Sequence, residues 1–192
     1  ADAADGMTGL PVGLDLAEEI ESVILTGAIS SRDDYFATPR VGRGSRLSRR
    51  QRLSVWKAYE RLTNALDIDG RYLWSQVPHR AALLLGRDSK LAERLGIRHV
   101  VVDEAQDLTA AHWRLLRGVV PPGQDDLFIV GDAHQRIYGR PVPLSRFGIK
   151  TRGRSRRLTV NYRTSKEILS WSLGVADPDA DDLDEQSDTL RG

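Results

Sequence analysis

The stretch that most constrains the fold is Val100-Val101-Val102 followed at once by Asp103-Glu104-Ala105-Gln106-Asp107. Contiguous β-branched residues are stiff at χ1 and suit an extended backbone, and an uninterrupted apolar run suits a strand buried on both faces of a parallel sheet. A strand that closes on Asp103 and Glu104 delivers two carboxylates to the C-terminal edge of the sheet, where open α/β sheets bind their ligands. The same acids would also suit the first turn of a following helix, whose dipole favours negative charge.

About 25 residues further on the pattern recurs, with Leu127-Phe128-Ile129-Val130 running into Gly131-Asp132-Ala133-His134-Gln135-Arg136-Ile137-Tyr138. A third, shorter run, Leu158-Thr159-Val160, ends in Asn161-Tyr162-Arg163-Thr164. Three strands with polar C-terminal ends would share one rim of a sheet, so Glu104, Gln135 and Arg163 are expected to converge on a single cleft. The order Asp-Glu-Ala-Gln-Asp, Gly-Asp-x-x-Gln-x-Ile-Tyr, Asn-Tyr-Arg-Thr resembles motifs II, III and IV of the UvrD/Rep type of superfamily I DNA helicases. The resemblance is close over roughly residues 98–170 and loose upstream.

That resemblance implies a chemistry for each motif. Asp103 takes the place of the acid that binds Mg²⁺, and Glu104 that of the base that activates water against the γ-phosphate of ATP. Gln106 and Asp107 look like the half of the motif that links the nucleotide site to neighbouring loops, although Asp107 equally suits capping of the next helix. Gln135 matches the glutamine that senses the γ-phosphate, Arg163 the arginine that stabilises transition-state charge, and Tyr162 the aromatic that packs on adenine. Tyr138 stands where the family has a tyrosine near single-stranded DNA. Many family members carry a base-stacking Trp two positions later; here it is Arg140, whose guanidinium plane can also stack on a base.

Charge distribution adds a surface to these motifs. The formal net charge is only +1, yet Arg40, Arg43, Arg46, Arg49, Arg50 and Arg52 form one acid-free stretch. Arg136, Arg140, Arg146, Lys150, Arg152, Arg154, Arg156 and Arg157 form a second. Either could be a solvated face; the second, directly after the Gly-Asp motif, reads as a nucleic-acid backbone track centred on Arg152 and Arg154. The implied partner is DNA, single-stranded or at a duplex junction. Cysteine is absent and no apolar stretch reaches membrane-spanning length, which fits a cytoplasmic protein with no membrane partner.

Helical patterns fill the first half. Leu16, Ile20, Val23 and Ile24 mark an amphipathic helix over Leu14 to Leu25, and the stretch Ser30-Ser31-Arg32-Asp33-Asp34 offers an N-cap for a short turn of helix through Phe36. Ser48 can cap a long helix to about Leu66, on which Trp56 and Tyr59 read as core contacts. Further helices are expected over 74–85, 109–117 and 165–173. The organisation is thus a disordered start over 1–13, a helical subdomain over 14–96, part of a RecA-like ATPase domain over 97–175 and an acidic tail over 176–192. The fold class is α/β, a partial RecA-like parallel sheet of the P-loop NTPase type preceded by the helical subdomain.

One part is missing from this inventory. No Gly-x-x-x-x-Gly-Lys-[Ser/Thr] loop occurs, nor any Gly-Lys dipeptide, so nothing cradles the phosphates of ATP. The reading is therefore part of an ATP-dependent DNA helicase core, inactive alone and needing the remaining helicase domains or a chain that supplies the phosphate loop. The alternative is a non-catalytic remnant that binds nucleic acid or a protein partner. A metal-dependent nuclease built on Asp103, Glu104 and Asp107 leaves the second and third motifs without a use.

Overall fold

The computed structural model describes residues 14–39, 46–132, 143–158, 160 and 162–175. The expected start and acidic tail, together with Gln135, Tyr138, Arg140, Arg40 and Arg43, lie outside the described residues. The chain forms two compact units. One holds the described residues up to Leu91 together with Thr109–Gly118; the other holds Ala92–Leu108 and the described residues from Val119 onward.

The first unit is helical. Asp15 caps α1 (Leu16–Glu19) by accepting from the Glu18 amide at 3.0 Å, and the helix continues as a wider π-type turn over Ile20–Leu25. Its apolar positions bury Ile20, Val23, Ile24 and Leu25. Ser31 caps α2 (Arg32–Ala37), and Ser48 with Gln51 forms a reciprocal capping box on α3 (Arg49–Ile68). The start of α3 falls at the Ser48 cap the sequence pointed to, and that of α2 within the polar stretch Ser30–Asp34. Helix α4 follows over Gln76–Arg87, and α5 (Ser89–Leu95) spans the boundary between the units.

The core of this unit joins α1, α2 and α3. Tyr35 is fully buried, stacks on Trp56 with ring centroids 6.1 Å apart, and donates its hydroxyl to the buried Glu19 carboxylate at 2.8 Å. A carboxylate removed from water needs such a donor, because desolvation without one costs several kcal/mol. Trp56 and Tyr59 pack together at 5.1 Å between centroids, so both are core residues as their helical spacing implied.

A single arginine closes α2. The last carbonyls of a helix have no intrahelical donor. Arg52 Nη1 supplies one to Tyr35 (2.5 Å), Phe36 (3.1 Å) and Thr38 (2.9 Å). Part of the first basic stretch is therefore spent inside the fold and is not a free cationic surface.

Helix α6 (Ala110–Val119) follows β1 in sequence but belongs to the helical unit through Gly118. The Ala111 amide donates to the Thr26 carbonyl at 3.3 Å, and the Arg114 guanidinium donates to the carbonyl of Ala28. Ala28 sits in the left-handed region (φ 53°), unusual for a residue with a Cβ, and this bond helps hold it there. Gly118 leaves room for Leu85: a Cβ there would lie 3.2 Å from the Leu85 Cβ. His79 on α4 is buried, and burial lowers its pKa, so it stays neutral at physiological pH.

The second unit carries the sheet. Strands β1 (Val100–Val102) and β2 (Leu127–Ile129) pair in parallel, with Val100 opposite Leu127, Val101 opposite Phe128 and Val102 opposite Ile129. Two sequence expectations need correction here. Val101 and Phe128 are 74% and 64% exposed, so this face of the sheet is open, whereas the valine run pointed to burial on both faces. The expected third strand is not a strand among the described residues; Leu158 and Val160 are 87% and 62% exposed. Apolar, β-branched residues make a strand possible, but a ladder partner and a covering layer make it a strand, and the described residues supply neither to this segment. Among the described residues the fold is mixed: helices with one small parallel sheet. No helix among the described residues is long and apolar enough to cross a membrane.

Replacing Arg52 with Ala is expected to cost about 2–3 kcal/mol, the scale for a charged donor removed from partly buried acceptors. Urea unfolding followed by circular dichroism checks this. Arg52→Met keeps the aliphatic stem, so the difference between the two variants isolates packing from hydrogen bonding.

Candidate functional site

The site begins where β1 ends. Asp103 accepts from the Glu104 amide through Oδ1 at 2.9 Å, and Glu104 takes a left-handed backbone (φ 49°, ψ 44°). For a residue with a Cβ that conformation costs about 1–2 kcal/mol, and it persists only where neighbours fix it. Here a 3₁₀ turn over Ala105–Asp107 follows immediately, and the Asp107 amide donates to the Glu104 carbonyl at 2.9 Å. The β ladder runs on around the turn: Val130 donates to the Val102 carbonyl (2.8 Å) and Ala105 to the Val130 carbonyl (3.0 Å). The chain after β1 is thereby bolted to the chain after β2.

Gln106 fills the space between them. It is 4% exposed; its Nε2 donates to Glu104 Oε2 at 2.7 Å and its Oε1 accepts from the Asp132 amide at 3.0 Å. Glu104, Gln106 and Asp132 are thus one hydrogen-bonded group, joining the ends of the first two apolar runs. Gly131 makes this possible. A Cβ there would meet Gln106 Oε1 at 2.9 Å, Ala105 Cβ at 3.0 Å and the Ala105 amide nitrogen at 3.1 Å. Sequence reading gave Gly131 no role and left the Gln106 partners unspecified. The available signal was a glycine immediately after an apolar run, which marks close backbone approach.

Asp107 is exposed and closes the 3₁₀ turn over Ala105–Asp107. Thr109, just before α6, donates its amide to His112 Nδ1 at 3.2 Å, with its hydroxyl 2.8 Å from the same nitrogen. Burial lowers the His112 pKa, which keeps Nδ1 available as an acceptor.

The remaining candidates are on exposed segments. Leu144 and Ile149 anchor a 3₁₀ turn over Leu144–Phe147, and the chain then displays Lys150, Arg152, Arg154, Arg156 and Arg157 to solvent. Gly153 (φ 73°) shapes that display, with the Arg154 amide donating to the Thr151 carbonyl at 2.8 Å. Tyr162 is 92% exposed and Arg163 is exposed beside it, both just ahead of α7 (Lys166–Val175). The structure therefore brings Glu104 together with the second motif through Asp132; Gln135, the expected sensor, lies outside the described residues.

As to a metal, no group of three or more His, Asp or Glu side chains gathers among the described residues. Asp103 and Glu104 are nevertheless two hard carboxylates side by side. That donor type fits Mg²⁺, which commonly takes one or two carboxylates and completes its shell with water and phosphate oxygens.

Residues 23–140 match the family described as the UvrD/REP helicase N-terminal domain. The ATP-dependent DNA helicase UvrD1 of Mycobacterium tuberculosis (strain ATCC 25618 / H37Rv) is 31% identical over 192 aligned positions, covering 88% of this chain and 24% of the relative. UvrD2 of the same strain is 31% identical over 174 positions, covering 84% and 24% respectively. UvrD1 of Mycobacterium bovis matches with the same values as its tuberculosis counterpart. The chain spans about a quarter of the length of these relatives. No solved structure matches it.

The Gly131→Ala substitution is expected to destabilise the second unit by about 1–3 kcal/mol through overpacking against Ala105 and Gln106. Because Gly131 has no left-handed backbone, steric crowding alone sets the penalty. Thermal unfolding gives the magnitude, and amide shifts at Ala105 and Asp132 report whether the damage is local.

Proposed function

Since the chain belongs to the UvrD/REP helicase family, we propose that it supplies part of an ATP-dependent DNA helicase core, in which a partial RecA-like sheet couples nucleotide hydrolysis to movement along single-stranded DNA. The observation that carries this reading is the acid pair at the end of β1. Glu104 is held in a strained backbone, and its carboxylate is hydrogen-bonded through Gln106 to the strand end carrying the Gly-Asp motif. Strain that neighbours over-determine is characteristic of sites where a side chain must stand in one place before the reaction begins.

In this proposal Asp103 holds Mg²⁺ and Glu104 accepts the proton of the attacking water. Bound Mg²⁺ supplies charge neutralisation on the phosphate oxygens. Gln135 and Arg163 address the γ-phosphate, and Tyr162 packs on the adenine. Tyr138, Arg140, Arg152 and Arg154 form the nucleic-acid side, with phosphate neutralisation by arginine providing most of the affinity. The phosphate loop comes from the remaining helicase domains or from another chain.

The missing Gly-Lys loop favours a second reading for the chain alone, a DNA- or protein-binding piece without turnover. Both readings share one expectation: the purified chain hydrolyses no ATP above background, with or without single-stranded DNA. A phosphate-release assay checks this. Stimulated hydrolysis that disappears in Glu104→Gln would show that the chain holds a phosphate site of its own.

DNA binding separates an exposed cationic track from a merely solvated one. Changing Arg152, Arg154, Arg156 and Arg157 together to Ala is expected to weaken binding to a single-stranded oligonucleotide. It should also flatten the salt dependence by about 0.7 in log–log slope for each phosphate that is no longer neutralised. Fluorescence anisotropy at several salt concentrations measures both quantities; an unchanged slope would assign the run to solvent.

A further inference from the structure

We propose that helix α6 is held in the helical unit by two imidazoles that serve only while neutral, His112 at its N-terminus and His79 beside Arg114, so that acid releases it. Every group involved belongs to the helical unit, and nothing in the device depends on the nucleotide chemistry proposed for Glu104.

The N-terminus of α6 is closed by a box in which histidine stands where glutamate or glutamine is usual. Thr109 immediately precedes the helix, and its carbonyl accepts from the Trp113 amide at 3.1 Å. Three residues on, His112 Nδ1 accepts the Thr109 amide at 3.2 Å and lies 2.8 Å from the Thr109 hydroxyl. A backbone N–H can donate only to a bare ring nitrogen, so this geometry fixes the tautomer with its hydrogen on Nε2. A proton on Nδ1 would turn the acceptor into a donor aimed at another donor. It would also set a positive charge at the positive end of the helix dipole. Glutamine in this place would keep its acceptor oxygen at any pH; histidine gives it up in acid.

The second imidazole acts on the same helix through a charge. His79 on α4 is 4% exposed, and its Nδ1 is buried with no hydrogen-bond partner among the described residues. Burial first, and then the Arg114 guanidinium of α6, hold its pKa below the ordinary value of 6.5; burial alone lowers that of His112. The other charged groups of the neighbouring elements are engaged elsewhere or stand off. Arg80 and Asp67 pair with each other, Glu19 accepts from Tyr35, and neither these nor Glu18, Glu21 or Arg117 acts on either ring. A proton on His79 would therefore place an unpaired charge in the interior beside a like charge. Relief comes from moving Arg114, whose guanidinium otherwise donates to the carbonyl of Ala28 and holds that residue in the left-handed region. Both folded-state pKa values lie below the unfolded value, so the native state binds fewer protons than the unfolded one. The stability these rings contribute is complete above about pH 6.5 and is lost as pH falls toward the folded values.

The test is the protection of the Ala111 amide against hydrogen exchange, read by NMR on the full chain. Protection factors, corrected for intrinsic exchange, are compared at about pH 7.5 and about pH 5, a window in which ordinary carboxylates stay ionised. The Ala111 amide donates to the Thr26 carbonyl and so reports the seating of α6; the Arg52 amide, bonded to the Ser48 carbonyl in α3, is the control. Ala111 protection is expected to fall about fivefold or more at the lower pH, the size of one helix cap, while Arg52 holds. His112→Gln keeps the acceptor without the proton site, so it should match the parent at the higher pH and lose part of the acid response. His79→Leu removes the other site, and the double variant should be flat across the window. Parent protection that is the same at both pH values would overturn the proposal, as would an Arg52 amide that falls in step with Ala111. So would an acid response undiminished in the double variant. Should His79→Leu fail to fold, His112→Gln decides alone, since an acid response as large as the parent's would leave the box at Thr109 without a role.

Discussion

Two parallel strands cannot be joined by a tight turn; the chain has to travel the length of the sheet before it can pair again. In this protein that requirement sends the chain from β1 through the turn at Ala105–Asp107 and helix α6 before it returns as β2. The crossover helix is also part of the helical unit, where its Ala111 amide and Arg114 guanidinium meet the turn at Thr26 and Ala28.

The strand ends show how a small sheet fixes a functional geometry. With only three residues in each strand, the ladder alone offers little rigidity. Rigidity comes from what happens just beyond it: backbone bonds between Val102, Val130 and Ala105, a left-handed residue at Glu104, and a buried amide across the gap. Each of these constrains the position of the Glu104 carboxylate, and together they hold a conformation the residue would not choose alone. The arginine-rich segment follows a different logic. Its two apolar anchors, Leu144 and Ile149, are buried while its charged residues are exposed.

Charge that looks alike in sequence meets different surroundings in the fold. Arg52 belongs to a stretch as basic as the one around Arg152, yet its guanidinium is occupied by the carbonyls that end α2. Arg49 lies over the ring of Phe36 at 5.4 Å from its centroid. Backbone acceptors and aromatic faces can occupy an arginine, and composition alone carries no record of where they do.

The sequence by itself determined the cap of α3 and the stretch that caps α2, because a cap is a contact between residues three apart; Ser48 could be read without knowing anything distant, and the structure picks Ser31 from the polar run Ser30–Asp34. It also determined the acid pair at the end of a valine run and the aromatic core positions of α3, since periodicity and order are local properties. Only the tertiary structure decided that Gln106 faces Glu104 on one side and Asp132 on the other, a pairing 26 positions apart in the second case. It likewise decided that one sheet face stays open and that Leu158 and Val160 form no strand among the described residues. Strands and buried side chains are defined by neighbours that lie far away in the chain, and a linear pattern states what a residue can bury but not what will cover it.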